Sequence, residues 1–250
     1  LGGVYGLKGA ARYVAADGRG SRAIVVSADI AEYERGSSGE QTQGAGAVAM
    51  LVDAEPALVE LDLDRAGRSS AYRGADFRKP FARHFVDGYA PATARPHDFP
   101  VFNGKYSTRC YIEATVSALD EMFARVGGSR AAFFDDLAMV ACHRPYQHMP
   151  RRAMAAAMAW SLATEPEDDA RFRALCAEAD VDPEAVRRDV ERRPDLFTAL
   201  RERGPDVEPA PAATALARHL RKSAPFRRFV ADKMSFGDAI VRDLGNLYTA

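Results

Sequence analysis

Five histidines and three cysteines are spread over the 250 residues, and His143 stands where chemistry in α/β proteins is commonly found. It follows residues 137–142 (LAMVAC), an apolar run that reads as a buried strand, and precedes the proline-shaped turn Arg144-Pro145-Tyr146. Ligands and catalytic groups gather outside the carboxyl ends of strands in such folds. A histidine there can act as acid, base or donor to a carbonyl near neutral pH. Position alone favours the plainer alternative, a structural histidine satisfied by backbone. Asn246, in Asp243-Leu244-Gly245-Asn246-Leu247, carries an amide suited to a developing oxyanion. A Gly-Asn pair closing a helix is ordinarily a cap, and the bare sequence favours that reading. Asp29 ends a strand-like run, with Tyr33 one turn on. It can orient a nucleophile or cap a helix, and the cap is slightly favoured. Asp76-Phe77 with Lys79-Pro80 can line a pocket. Arg144, Arg151 and Arg152 flank His143, either as a solvated face or as a landing place for coenzyme phosphates.

Other chemistries find less support. Cys142 lies in an apolar run and Cys110 near the start of an apolar helix face, so both read as small buried hydrophobes. His84, His97, His143, His148 and His219 form no recognised metal-ligand pattern with cysteines or acids. Gly44-Ala45-Gly46 lacks both glycine-rich phosphate-loop patterns.

The positioning elements follow from periodicity. Residues 4–16 read as an amphipathic helix, and 22–28 (RAIVVSA) and 47–52 (AVAMLV) as buried strands. Residues 58–63 (LVELDL) alternate like a half-exposed strand. Residues 65–104 read as a long ordered loop, and loops of that length are usually functional. Ser107 is expected to cap a helix reaching Val126. After Pro150 the chain turns helical, with Pro183, Pro194 and Pro205 punctuating short helices and residues 204–211 (GPDVEPAP) forming a local excursion. The expectation is an α/β architecture with covered sheets.

Composition sets the bounds. Lys+Arg 34 against Asp+Glu 35 give a net charge of −1, which offers no bulk attraction to nucleic acid or an anionic membrane. No apolar run approaches the roughly 20 residues of a spanning helix, and no signal peptide is expected. Three scattered cysteines suit reduced thiols in a cytosolic protein. Both ends read as cuts through packed structure, so a fragment is expected.

Six blocks stand in one order: 27–33 (SADIAEY), 44–51 (GAGAVAML), 76–80 (DFRKP), 99–111 (FPVFNGKYSTRCY), 143–152 (HRPYQHMPRR) and 245–249 (GNLYT). Together they resemble the 3-hydroxy-3-methylglutaryl-CoA synthase family. The resemblance implies an α/β, thiolase-like, layered αβαβα sandwich, incomplete here at both ends. Residues 1–135 would belong to its N-terminal half, with an active-site loop at 65–106. Residues 136–250 would open the C-terminal half, with a helical insertion at about 165–232.

The activity implied is a Claisen-type condensation of acetyl-CoA with acetoacetyl-CoA, in the mevalonate route to isoprenoids. A cysteine is acetylated, the deprotonated acetyl methyl attacks the acetoacetyl carbonyl, and water releases the thioester. On this resemblance His143 polarises and positions the acetoacetyl carbonyl, Asn246 helps hold the same thioester, and Asp29 and Tyr33 sit near the acetyl-cysteine. Asp76 and Phe77 match a substrate-binding block, and Arg152, with His148, occupies places that bind CoA. No metal or cofactor is implied, only coenzyme A thioesters as substrates. A cytoplasmic homodimer is implied as well. The nucleophilic cysteine would fall one place before Leu1 and the general-base glutamate further upstream, so the 250-residue chain alone is expected not to turn over. Two relatives of the reading remain open: a synthase of polyketide β-branching acting on a carrier-protein thioester, and a non-catalytic acyl-CoA-binding subunit of the same fold.

Overall fold

The computed structural model describes residues 2–31, 36, 40–71, 104–192, 196–203 and 207–247. The described residues form two compact units, one taking those up to 64 and from Ala239 onward, the other taking 65–71 and 104–238.

The first unit is helix on sheet. α1 (Gly2–Ala15) leads into β1 (Ala23–Ile30), which pairs antiparallel with β2 (Ala45–Val52) from Ala23 opposite Val52 to Ile30 opposite Ala45. Side chains alternate across a strand, so one face of this pair presents Val25, Met50 and Val52. Leu7, Ala10, Ala11 and Val14 of α1 cover them. The opposite face carries Ile24, Val26, Ile30 and Leu51, which are 63–71% exposed. The expectation of strands buried on both sides is therefore corrected: α1 covers one side, and no described element of this unit covers the other.

The alternating run 58–63 is not a strand. Leu58 and Val59 are exposed, and the flanking aspartates turn the chain locally. Asp53 accepts from Glu55 N–H at 3.1 Å and Asp62 from Asp64 N–H at 3.2 Å. Such side-chain bonds compete with ladder pairing.

The second unit is helical. α2 (Gly104–Val126) starts three residues before Ser107, which is thus an interior residue rather than the cap. α3 (Arg130–Asp136) is capped by Ser129. α4 (His148–Thr164) is the central element, and its run of alanines explains why: Ala153, Ala155, Ala157 and Ala159 are buried and let neighbouring helices approach. Packed against it are α5 (Asp169–Ala179), α6 (Pro183–Arg192), α8 (Pro211–Lys222) and α9 (Ala224–Lys233), with α7 (Leu196–Arg203) between α6 and α8 along the chain. α10 (Asp238–Leu244) follows, Asp238 counting with this unit and the rest with the first. One core cluster joins Phe123, Trp160, Phe172, Val186 and Leu216; another joins Phe134, Val140, Met154, Phe226 and Met234. Two caps come from acids: Asp182 accepts from the first turn of α6, and Asp189 accepts from Ala212 and Ala213 N–H at the start of α8.

Residues 137–142 run extended but belong to no sheet among the described residues. Val140 N–H instead donates to Lys233 C=O at 2.7 Å. The ammonium of Lys233 donates to the carbonyls of Phe134 and Asp135 at the end of α3. The expected third strand is thus a single extended segment tied to α9. Of the expected loop only 65–71 falls among the described residues before α2 begins, and Pro194 and Pro205 lie outside them.

Phe172 is fully buried among Trp160, Val186 and Leu216. Phe172→Ala is expected to cost about 3–5 kcal/mol, read from guanidinium unfolding at unchanged slope.

Candidate functional site

In the helical unit the extended segment delivers His143, which is exposed, into the turn before α4. Tyr111 of α2 donates its hydroxyl to the His143 carbonyl at 2.7 Å. Burial pushes the Tyr111 hydroxyl well above the usual tyrosine range, so it stays a donor throughout the physiological range. The Cys142 thiol lies against that hydroxyl, and burial pushes it up as well, with Tyr111 and Arg144 only partly opposing. A thiol so held is not an activated nucleophile.

The next residue fixes the turn from the other side. The Arg144 side chain is 6% exposed; it pairs with one oxygen of Asp238 and donates to Met234 C=O at 2.8 Å. The other Asp238 oxygen accepts from Arg151 at 3.0 Å. One carboxylate therefore ties the turn after His143, the first turns of α4 and the start of α10.

Beside this triad opens a cleft of about 590 Å³, lined by His148, Arg151 and Arg152 of α4, Arg221 of α8, Arg227 of α9 and Asp238. No acid stands in the first turn of α4. The His148 imidazole is held below its ordinary value, by burial first and then by Arg151, Arg152 and Arg221. Tyr146 meets it edge-on at 6.1 Å.

In the sheet unit, three of the six sequence blocks meet at Gly44. Ala31 N–H donates to Gly44 C=O at 3.0 Å, Gly44 N–H donates to Asn246 C=O at 3.0 Å, and Asn246 N–H donates to Thr42 C=O at 2.7 Å. A Cβ on Gly44 would collide with the Leu244 carbonyl oxygen, so only glycine permits this crossing. Gly245 closes α10 with φ +82°, as the capping reading expects, and thereby turns Asn246 into a parallel bridge with Gln43. Asp29 lies inside β1 opposite Gly46 and accepts from Ile30 N–H at 2.9 Å, so the helix-cap reading of it is corrected.

Of the residues singled out from sequence, His143 and Arg152 thus share the helical unit, and Asp29 and Asn246 share the sheet unit. Tyr33, Asp76 and Phe77 lie outside the described residues. Sequence reasoning missed Asp238, Arg221 and Arg227, which reach the turn and the cleft from far along the chain where no spacing signals them. Tyr111 entered that reading only as the last residue of the block 99–111. Among the described residues no group of three or more potential ligands forms a metal site, and no helix is long and apolar enough to cross a membrane.

No protein-family profile matches the chain. Its backbone is similar to solved synthases of thiolase-like fold. It aligns over its whole length with 47% of MvaS in complex with 3-hydroxy-3-methylglutaryl coenzyme A, at TM-score 0.65 and 25% identity. It also aligns with 41% of the curacin-pathway HMG synthase in complex with apo donor-ACP, at TM-score 0.55; at 17% identity that likeness concerns the fold alone. In sequence the chain is similar to hydroxymethylglutaryl-CoA synthase: it is 36% identical to the Haloferax volcanii protein over 135 residues, 54% of this chain and 26% of that one. The chain therefore spans about a quarter of the length of this curated relative and just under half of the MvaS structure.

Two measurements check the geometry. Asp238→Ala leaves the buried Arg144 charge uncompensated and is expected to lower stability by about 2–3 kcal/mol in denaturant unfolding. His148 binds its proton less readily folded than unfolded, so stability is expected to fall as pH drops through the ordinary imidazole value. His148→Gln is expected to flatten that fall in thermal melts between about pH 7 and 6.

Proposed function

We propose that this chain is part of a hydroxymethylglutaryl-CoA synthase type of acyltransferase, which joins the acetyl group of acetyl-CoA to the ketone carbon of acetoacetyl-CoA. The observation that carries the reading is the match to MvaS in complex with 3-hydroxy-3-methylglutaryl coenzyme A, over the whole of this chain at 25% identity. Within that frame His143 donates to the acetoacetyl carbonyl, withdrawing electron density from the carbon under attack and stabilising the alkoxide as it forms. The pinned turn supports this role, because a donor aimed at developing charge is effective only when its backbone is already fixed. Asn246 donates to the thioester oxygen. Asp29 and Tyr33 orient the acetyl-enzyme, while Asp76 and Phe77 help bind substrate. Arg152 meets the phosphates of CoA.

Acetylation of the nucleophilic thiol releases CoA as a thiol. The acetyl methyl gives a proton to a base and its carbon bonds to the acetoacetyl ketone carbon. The alkoxide takes up a proton, and water then cleaves the enzyme thioester to leave a carboxylate. The reading calls for no metal or cofactor beyond the thioester substrates. It places the two units as parts of the αβαβα sandwich and of a cytoplasmic homodimer in the mevalonate route. The unbridged thiols are compatible with a reducing compartment.

Calorimetric titration tests the assignment of His143. The chain is expected to bind acetoacetyl-CoA more tightly than CoA. His143→Ala is expected to weaken acetoacetyl-CoA about tenfold while leaving CoA unchanged. Equal loss for both ligands, or no loss for either, would overturn the role of His143.

A further inference from the structure

Burial alternates along the segment that carries His143. Val140 is buried, Ala141 exposed, Cys142 half-buried, His143 exposed and Arg144 buried. Consecutive side chains of an extended chain point to opposite sides, so residues 140, 142 and 144 face the helices while 141 and 143 face water. His143 is therefore presented outward only as long as its neighbours stay in. Val140 and Cys142 need no help, since both pack on the core cluster of Phe134, Met154, Phe226 and Met234. Arg144 is different. A long cationic side chain ordinarily keeps its stem on apolar surface and its head in water, yet this one is 6% exposed. Its guanidinium is held by Asp238, 94 residues further along the chain, and by the Met234 carbonyl. Of these two acceptors only Asp238 carries a charge, and Arg151 steadies that carboxylate from its other oxygen at 3.0 Å.

A buried guanidinium stripped of its counter-charge is among the costliest states a side chain can occupy. Without Asp238 it turns toward water, and in an alternating segment that rotation carries the next side chain the other way. We propose that Asp238 is a positioning residue: by keeping Arg144 inside it sets the side to which His143 points, and with it the preference for an acetoacetyl thioester over free coenzyme A. The ligand preference rests on the function proposed above; the control of His143 rests on the alternation and the Asp238 pair alone. The operative property is charge, because the Met234 carbonyl is available to Arg144 whether or not Asp238 is ionised. Asp238 is accordingly dispensable wherever residue 144 is apolar, since such a side chain stays inside unaided.

Two readouts on the 250-residue chain test this, one without ligand and one with it. The first is carbethoxylation by diethylpyrocarbonate, followed at His143 by peptide mass spectrometry. The second is the ratio of acetoacetyl-CoA to CoA affinity in calorimetric titration. Asp238→Asn, which keeps the shape and removes the charge, is expected to slow His143 modification about threefold or more and to lower the ratio about tenfold. Asp238→Glu is expected to recover most of both. Adding Arg144→Met to Asp238→Asn is expected to restore both, because no charge is left to bury. Val186→Ala, in the other core cluster, is expected to lower the melting temperature and move neither readout. An Asp238→Asn chain that unfolds is decided by the same double variant: Arg144→Met returns the fold if Asp238 acts through Arg144, and a fold still lost would overturn the proposal. Unchanged modification of His143 in folded Asp238→Asn would overturn it too, whatever the ligands do. Slowed modification together with a ratio that neither Asp238→Asn nor His143→Ala moves would uphold the control of His143 and refute its role in binding acetoacetyl-CoA.

Discussion

A single carboxylate shared by two guanidiniums organises the chemically interesting end of the helical unit. Asp238 holds Arg144, whose side chain is almost wholly withdrawn from water, and Arg151 one turn into α4. Removing a guanidinium from water costs several kcal/mol unless charge and hydrogen bonds replace the lost hydration. Here the carboxylate supplies the charge and the Met234 carbonyl a further acceptor. Because the partners are committed in this way, the turn between them has little freedom. With Tyr111 holding the His143 carbonyl on the other side, a residue exposed to solvent has its backbone tied on both sides.

The same arrangement sets the electrostatics of the cleft. Asp238 neutralises Arg144 and Arg151, while among the described residues no carboxylate pairs with the other arginines around the opening, Arg152, Arg221 and Arg227. The distribution separates a rigid, charge-balanced floor from a wall with surplus positive charge. Uneven pairing of this kind carries more information than the net charge of −1, which says nothing about local fields.

Much of this was legible in the sequence, for reasons that differ by element. β1 and the long helices were readable from length and composition, an apolar run of strand length at Ala23–Ile30 and a long run of alanines and methionines within His148–Thr164. The cap at Gly245 was readable because only glycine reaches that conformation cheaply. Residues 137–142 misled because an apolar extended run looks the same whether it has strand neighbours or one hydrogen bond to Lys233. Residues 58–63 misled because alternation cannot report that Asp53 and Asp62 bend the chain on themselves. Asp238, Arg221 and Arg227 were invisible since their meaning lies in distant partners, and a linear pattern records neighbours only. The six ordered blocks succeeded where single residues could not, because their combination reflects a whole surface rather than one spacing.

Gly44 has a consequence for sorting related sequences. With the Leu244 carbonyl oxygen lying where a methyl group would otherwise go, residue 44 acts as a gauge of backbone approach, independent of any reactive group. A homologue carrying alanine or anything larger there must have moved its Asn246 counterpart away from the hairpin, whatever side chains it still displays. Such a chain could keep every acid, imidazole and amide in its sequence and yet no longer hold them in this arrangement, and this one position would disclose it.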